Sequence, residues 1–318
     1  SSMFLGDDFH HYGAFRLSYG FEYVAMMESG KEITPFNPDQ YDTYSWYLSL
    51  GSLRKVTDSL PQGKLPTWKN YVAHPNFDEF WQRENVVKYI DRVNVPTLNV
   101  AGWWDQEDFY GPITIYRALE PHDTKHLNYL VVGPWNHGGW RGPTGDKLGA
   151  IEFGSNTAQY YRKSIELPWF NYWLKDKGKL ELAEATTFET GANTWRSYDS
   201  WPPKHEVTER KLYFQPGGKL AFEPPPATKP DSAFDAYIAD PAKPVPYRVR
   251  PILPTYGPGS SWSQWLVDDQ RFASDRPDVS AWQTAPLDDD IVIAGDVLAK
   301  IFASTTGSDA DFVVKLID

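Results

Sequence analysis

A chain of 318 residues, 41% of them hydrophobic and 16% aromatic, has the length of two ordinary domains and is too apolar to be disordered. Its net charge of −11 argues against nucleic acid or an anionic membrane as a partner, because both require a basic face. The absence of cysteine excludes disulfides, thiolate catalysis and Cys-ligated zinc, and no apolar run reaches the roughly 18 residues that a membrane-spanning helix needs.

The first 90 residues mix short apolar patches with Pro, Asn and Asp, and they predict helices at 36–50 and 77–90. Asn76 is the candidate N-cap of the second helix, and Glu79 lies early in it, as is usual for a helix N-terminus. The chain starts without Met and ends on the strand-like run Phe312–Ile317. We therefore expect both ends to be cuts through a longer protein, with Phe312–Ile317 a central, paired strand.

The middle of the chain has the pattern of a parallel sheet. Val95–Ala101 and Leu127–Val132 are short apolar runs, as expected for buried parallel strands, and a helical stretch at 111–119 lies between them. A further helix is predicted at 157–175, with Pro168 kinking or restarting it. Strand, helix and strand at this spacing indicate a βαβ unit.

Beyond residue 179, Pro-rich turns separate short alternating runs without a helical period, which predicts an all-β sandwich or jelly roll. The predicted domains are 1–184, the C-terminal part of an α/β domain, and 185–318, a jelly-roll β-sandwich. The clearest alternating runs are Arg210–Phe214, Ile291–Ile293, Val297–Phe302 and Phe312–Ile317.

Two loops after the predicted strands carry reactive side chains. Asp105 follows the first strand within Gly-Trp-Trp-Asp, and His137 follows the second within Gly-Pro-Trp-Asn-His-Gly-Gly. Acid before base, each past a strand end, is the chain order of the α/β-hydrolase triad. A carboxylate on one imidazole nitrogen fixes the tautomer, so that the other nitrogen can accept the proton of a serine. Taken singly, an Asp in the position of Asp105 is usually a helix cap, and a His in the position of His137 is more often structural or solvated.

Three polar clusters have the composition of a cation site. His10-His11 lies close to Asp7-Asp8, but adjacent residues seldom both ligate one ion. Asp288–Asp290 and the pair Asp309 and Asp311 offer oxygen ligands suited to calcium, but exposed turns between strands are the favoured interpretation. No metal or other cofactor is predicted.

The phrases AGWWDQEDFYG, VVGPWNHGGW and FLGDDFHHYGAF, followed by DPAKPVP, DDQRF, RPDV and STTGSDADFVVKLID, occur in family order along essentially the whole chain. They resemble the α-amino-acid ester hydrolases, a branch of serine hydrolases that includes bacterial cocaine esterase, glutaryl-7-aminocephalosporanic acid acylase and the X-prolyl dipeptidyl peptidases. The resemblance implies an α/β-hydrolase domain with a helical cap inserted at about 15–90, followed by a jelly-roll domain. It makes Asp105 the triad acid and His137 the triad base.

The resemblance also implies a serine nucleophile, an acyl-enzyme and acidic side chains that bind the α-ammonium of a small-molecule ester or amide. Asp78 is the first candidate for such a carboxylate and Glu79 the second, with a solvated first helical turn as the alternative for Glu79. No G-x-S-x-G motif is present; the family places it, with the oxyanion hole, upstream of residue 1. A missing N-terminal segment is therefore the expected partner, and the isolated chain is expected to be inactive.

Three functions are compatible with these observations. The favoured one is hydrolysis of esters or amides of small α-amino acyl groups, including β-lactam side chains. An X-prolyl dipeptidyl peptidase or an aryl, cocaine-type esterase is the alternative within the family. A jelly-roll binding module is the alternative outside it, but it leaves the two loops without a purpose. A periplasmic or secreted location follows from the resemblance alone, and assembly into a homo-oligomer stays open.

Overall fold

A computed structural model of the chain describes residues 9–11, 13–205, 207–226 and 234–317. The N-terminal part contains a short hairpin and five helices, and the middle contains the sheet with its helices. The helices are α1 (Leu17–Glu28), α2 (Thr43–Leu50), α3 (Arg54–Ser59), α4 (Pro66–Ala73), α5 (Glu79–Glu84), α6 (Tyr110–Leu119), α7 (Thr157–Tyr160), α8 (Leu167–Lys175) and α9 (Arg271–Ser274). The strands are β1 (His10–His11), β2 (Ala14–Phe15), β3 (Thr97–Gly102), β4 (Asn128–Gly133), β5 (Lys147–Leu148), β6 (Ile151–Glu152), β7 (Ala185–Glu189), β8 (Thr194–Tyr198), β9 (Tyr213–Gln215) and β10 (Lys219–Ala221).

The main sheet has four strands in the order β3-β4-β7-β8. β3 and β4 are parallel, with Gly102 opposite Gly133, and β4 is parallel to β7. The side chains of β4 are almost all buried, as expected of a strand covered on both faces. The predicted βαβ unit is confirmed, with α6 connecting β3 and β4.

Helices cover both faces of the sheet. Tyr116 of α6 packs on one face with Leu130 and Val132 of β4. On the other face, Val131 packs against Tyr161 and Ile165 of the long helical stretch at 157–175. That stretch contains a π-helical turn immediately before α8. Pro168 lies in the first turn of α8 and has no N–H to donate, so the change in helical type occurs where the sequence predicted a restart.

The N-terminal helices form a separate aromatic core beside the sheet. Its buried members are Phe9, Tyr19, Phe21, Val24, Val56, Trp68, Tyr71 and Trp81. The helix predicted at 36–50 begins only at Thr43, where Asp42 caps it. The helix predicted at 77–90 is α5 plus a 3-10 turn at Val86–Tyr89, and its N-cap is Asp78 in place of Asn76.

The predicted domain boundary at 184/185 lies inside the sheet. β7 pairs with β4, and β8 pairs with β7 antiparallel, so residues 185–198 complete the α/β layer. The change of sequence pattern at residue 179 predicts a boundary before this run, although the run itself is part of the sheet. A strand joins the sheet whose open edge it can reach, whatever the composition that precedes it.

In the part of the C-terminal region that the structure describes, the predicted jelly roll is not confirmed. Beyond β8 its only sheet is the hairpin β9–β10, which confirms a strand at the end of Arg210–Phe214. The runs Ile291–Ile293, Val297–Phe302 and Phe312–Ile317 contain no strand, and the prediction that Phe312–Ile317 is central and paired was wrong. Alternating apolar residues favour a strand, but a strand forms only beside a partner that satisfies its backbone groups.

Candidate active site

The acid loop, residues 103–109, leaves the carboxyl end of β3 and leads into α6. Asp105 is buried in this loop, and its Oδ1 accepts hydrogen bonds from the backbone N–H groups of Glu107 (2.9 Å) and Asp108 (2.8 Å). The loop therefore folds around its own carboxylate. Asp105 therefore caps the turn that precedes α6, which agrees with its interpretation as a capping residue. The same side chain also makes the contact with His137 that is described below.

The base loop, residues 134–141, leaves β4 at the same edge and is tied to the acid loop by backbone hydrogen bonds. Trp103 N–H donates to the Gly133 carbonyl (2.9 Å) and Trp104 N–H to the Trp135 carbonyl (3.0 Å). A Cβ on Gly102 would lie 2.3 Å from the Trp135 carbonyl oxygen, so only glycine permits this approach. Parallel register and close backbone contact together fix where the two loops meet.

His137 and Asp105 are in contact. Nδ1 of His137 lies 3.2 Å from each carboxylate oxygen of Asp105, so the predicted hydrogen-bond contact is confirmed. This contact raises the pKa of His137 to about 9, against the opposing effect of burial, and the charges of Asp105, Glu107 and Asp108 raise it further. The site therefore stabilises an imidazolium, the species that a triad base becomes after it takes a proton.

Two further carboxylates surround the imidazole, and the sequence analysis did not select them. Glu107 Oε2 lies 3.7 Å from His137 Nε2, and Asp108 Oδ2 lies 3.7 Å from Nδ1. Burial raises the pKa of Glu107, while a hydrogen bond from Tyr19 and the charge of His137 oppose that rise. The signal was present in the sequence, since both residues follow Asp105 within one loop at the end of a strand. The site thus concentrates negative charge on both sides of the base.

Two aromatic rings, one from the C-terminal part of the chain and one from α1, lie on one side of His137. The ring of Trp262 lies 6.3 Å from the ring of His137, and Tyr19 of α1 stacks on Trp262 at 6.4 Å. The Asn136 side chain donates to the carbonyl of Ser263 (3.1 Å), which ties the base loop to the same segment. No motif marked Trp262, because it is remote in sequence and only the tertiary fold brings it here.

The carboxylate of Asp78 contacts residues close to it in sequence. Its Oδ1 accepts from the N–H of Phe80 (3.0 Å) as the cap of α5, and its Oδ2 lies 2.7 Å from Nδ1 of His74. The hydrogen bond to His74 lowers the pKa of the Asp78 carboxyl. Glu79 is exposed in the first turn of α5. The carboxylates found against His137 are those of Asp105, Glu107 and Asp108.

The candidate cation sites are also placed by the fold. His10 is buried, with its ring 4.9 Å from Trp81, while Asp7 and Asp8 lie outside the described residues. The carboxylates at 288–290, 309 and 311 are exposed. Among the described residues, no group of three or more His, Asp or Glu side chains is arranged to hold a metal ion. None of the helices in the described ranges is long and apolar enough to cross a membrane.

Two family models match the chain, one ending within the base loop and the other beginning beyond it. Residues 1–139 match the X-Pro dipeptidyl-peptidase (S15 family) model, and residues 171–318 match the X-Pro dipeptidyl-peptidase C-terminal non-catalytic domain. Cocaine esterase of Rhodococcus sp. (strain MB1 Bresler) is 28% identical over 269 residues, which cover 80% of this chain and 44% of the esterase.

Two solved structures extend the similarity to the fold. An aminopeptidase from the marine sediment archaeon Thaumarchaeota archaeon is 41% identical, with a TM-score of 0.83 over 89% of this chain and 46% of its own. An α-amino acid ester hydrolase is 37% identical, with a TM-score of 0.85 over 92% of this chain and 48% of its own. The chain therefore spans about half the length of these relatives, which are α/β-hydrolase-type enzymes with a C-terminal non-catalytic domain.

Proposed function

The chain belongs to the X-Pro dipeptidyl-peptidase (S15) family of serine hydrolases, and on that premise we propose that it forms the acid–base half of a serine ester or amide hydrolase. Asp105 is the triad acid and His137 the triad base. The observation that carries the proposal is the contact of His137 Nδ1 with both oxygens of Asp105, 3.2 Å each, which directs Nε2 away from the acid. A serine supplied upstream of residue 1 would give its proton to Nε2 and form the acyl-enzyme.

The substrate class follows from the charge around His137. We propose that Glu107 and Asp108 bind the α-ammonium of an α-amino acyl group, with Asp78 and Glu79 as the weaker candidates. Two half-buried carboxylates beside a base are costly unless a cation pairs with them. Two relatives at 37–41% identity, the ester hydrolase and the aminopeptidase, carry names that refer to substrates with a free amino group.

An ammonium at Glu107 would also change the base. The imidazolium of His137 and the substrate ammonium compete for the same carboxylates, so a bound ammonium lowers the pKa of His137. With a lower pKa, a larger fraction of the molecules has a neutral imidazole near pH 7. A general base must be neutral to accept a proton. Trp262 and Tyr19 would meanwhile form the apolar side of the acyl pocket.

The alternatives differ in the acyl group. An X-prolyl dipeptidyl peptidase also needs an acidic site for an N-terminal ammonium, but placed one residue further from the scissile bond. A cocaine-type aryl esterase needs an apolar pocket, which the carboxylates of Glu107 and Asp108 disfavour.

For the C-terminal part we keep the jelly roll as a proposal, since it would cover the exposed apolar runs at 291–302 and 312–317.

The test is a kinetic comparison in the full-length protein. Phenylglycine methyl ester and its des-amino counterpart, phenylacetate methyl ester, are the matched substrates. His137→Gln should abolish turnover of both, whereas Glu107→Gln should raise KM for the amino ester and spare the des-amino ester. Asp78→Asn is the matched carboxylate control and should affect neither. Undiminished turnover in His137→Gln would refute the triad, and an amino-specific defect in Asp78→Asn would return the ammonium site to α5.

A further inference from the structure

Arg16 stands at the junction between the N-terminal hairpin and helix α1. Its N–H donates to the carbonyl of Phe9 (2.8 Å), and its own carbonyl accepts from the N–H of Gly20 (2.9 Å) in the first turn of α1. The backbone of Arg16 is therefore held from both sides. A side chain that starts from so fixed a point can hold another segment in place.

The side chain of Arg16 reaches the acid loop. Its Cζ lies 4.6 Å from the centre of the Tyr19 ring, and its Nη2 donates to the backbone carbonyl of Gln106 at 2.5 Å. A guanidinium stacks well on an aromatic face, and the stacked ring limits the directions that it can take. The bond to Gln106 is charge-assisted and hence stronger than an ordinary hydrogen bond to a carbonyl.

Gln106 is the residue through which this contact reaches the site. It is buried, and its Oε1 accepts a hydrogen bond from the backbone N–H of His137 (3.3 Å). Its two neighbours in sequence are the carboxylates that lie against different nitrogens of the imidazole, Asp105 at Nδ1 and Glu107 at Nε2. A shift of Gln106 would therefore move both carboxylates relative to His137.

We infer that Arg16 is a positioning residue, which holds the acid loop against His137 through its hydrogen bond to the Gln106 carbonyl. The inference rests on the proposed function for its kinetic consequences, but not for its geometry. Without the guanidinium, the acid loop loses its hydrogen bond to the residue that precedes α1. The bond of Trp103 to the Phe188 carbonyl and that of Tyr19 to Glu107 remain, but neither holds the backbone at Gln106. The three carboxylates that face His137, those of Asp105, Glu107 and Asp108, then spend less time at their present distances.

The experiment compares Arg16→Ala and Arg16→Lys in the full-length protein with Arg210→Ala. Arg210 is the matched control, because it also lies over an aromatic ring, 4.9 Å from the centre of Phe222, but outside the site. Arg16→Ala should lower kcat by about tenfold to hundredfold, the usual effect of small misplacement in an active site. Added guanidinium ion should restore part of the loss. Arg16→Lys should lie between wild type and Arg16→Ala, and Arg210→Ala should match wild type.

The pH profile separates positioning from mere support of the fold. A loosened loop stabilises the imidazolium less, so the acid limb of kcat/KM in Arg16→Ala should move to lower pH, toward the ordinary histidine value of 6.5. A variant that only folds poorly loses activity with an unchanged profile and without guanidinium rescue. That result would overturn the inference.

A titration of His137 by NMR, with ¹³C-labelled histidine, decides the same question without any turnover. A lower pKa for His137 in Arg16→Ala than in wild type supports the inference, and an unchanged pKa overturns it. Failure of the proposed function would look different. In that case the full-length wild type would hydrolyse neither ester, while the titration would still report on Arg16.

Discussion

The carboxyl of Glu22 should make the stability of this chain fall as the pH rises. Glu22 is 1% exposed in α1, and its carboxylate accepts from the Tyr47 hydroxyl (2.8 Å) and the Thr255 N–H (2.5 Å). Burial raises its pKa from 4.5 to about 7, although both hydrogen bonds oppose the rise. The folded chain thus holds this proton more tightly than the unfolded chain does. The stability that Glu22 contributes is full below about pH 4.5 and is lost as the pH passes through 7.

The size of the effect follows from the difference between the two pKa values. Since one pKa unit corresponds to about 1.4 kcal/mol, the loss at pH 8 relative to low pH is about 3 kcal/mol. Glu22→Gln keeps an oxygen for the N–H of Thr255 but offers the Tyr47 hydroxyl a poorer partner. We expect this to cost about 1 to 2 kcal/mol at pH 5. The variant should therefore be less stable than wild type at pH 5 and more stable at pH 8.

The assay is urea unfolding, followed by tryptophan fluorescence, at pH 5, 6, 7 and 8. Glu32→Gln, at an exposed position after α1, is the control and should differ from wild type by the same small amount at every pH. The difference in the free energy of unfolding between Glu22→Gln and wild type should change sign across this range. If it is the same at pH 5 and pH 8, the carboxyl of Glu22 does not titrate near 7 in the folded chain.

Four further outcomes are expected. The 318-residue chain alone should not hydrolyse phenylglycine methyl ester, since loss of a triad nucleophile costs around a millionfold in turnover; co-expression with the upstream segment should restore activity. Asp105→Asn should leave a folded protein, checked by circular dichroism, but lower kcat by about 10⁴-fold through the wrong tautomer of His137. Gly102→Ala should destabilise the chain by about 1 to 3 kcal/mol in urea unfolding, because its Cβ would meet the Trp135 carbonyl oxygen at 2.3 Å. Trp68→Ala should cost about 3 to 5 kcal/mol by the same assay, because the side chain is 1% exposed in the aromatic core.

The local part of the site could be predicted from the sequence. Two apolar runs bounded by Pro and Gly predicted β3 and β4, and the position of Asp105 and His137 just beyond them predicted their contact. Both inferences depend on neighbours along the chain and on the rule that parallel strands end at one edge. The same reasoning would have reached Glu107, which lies in the acid loop, had the whole loop been considered.

Only the tertiary structure decided the contacts between residues that are far apart in the chain. Trp262 reaches His137, Arg16 reaches Gln106, and Glu22 reaches Thr255, each from a different part of the molecule. No periodicity or motif encodes such pairs, because packing and hydrogen bonding depend on which surfaces meet after folding. The C-terminal runs failed as strand predictions for the same reason: a local pattern states that a segment can be a strand, and a partner strand decides whether it is one.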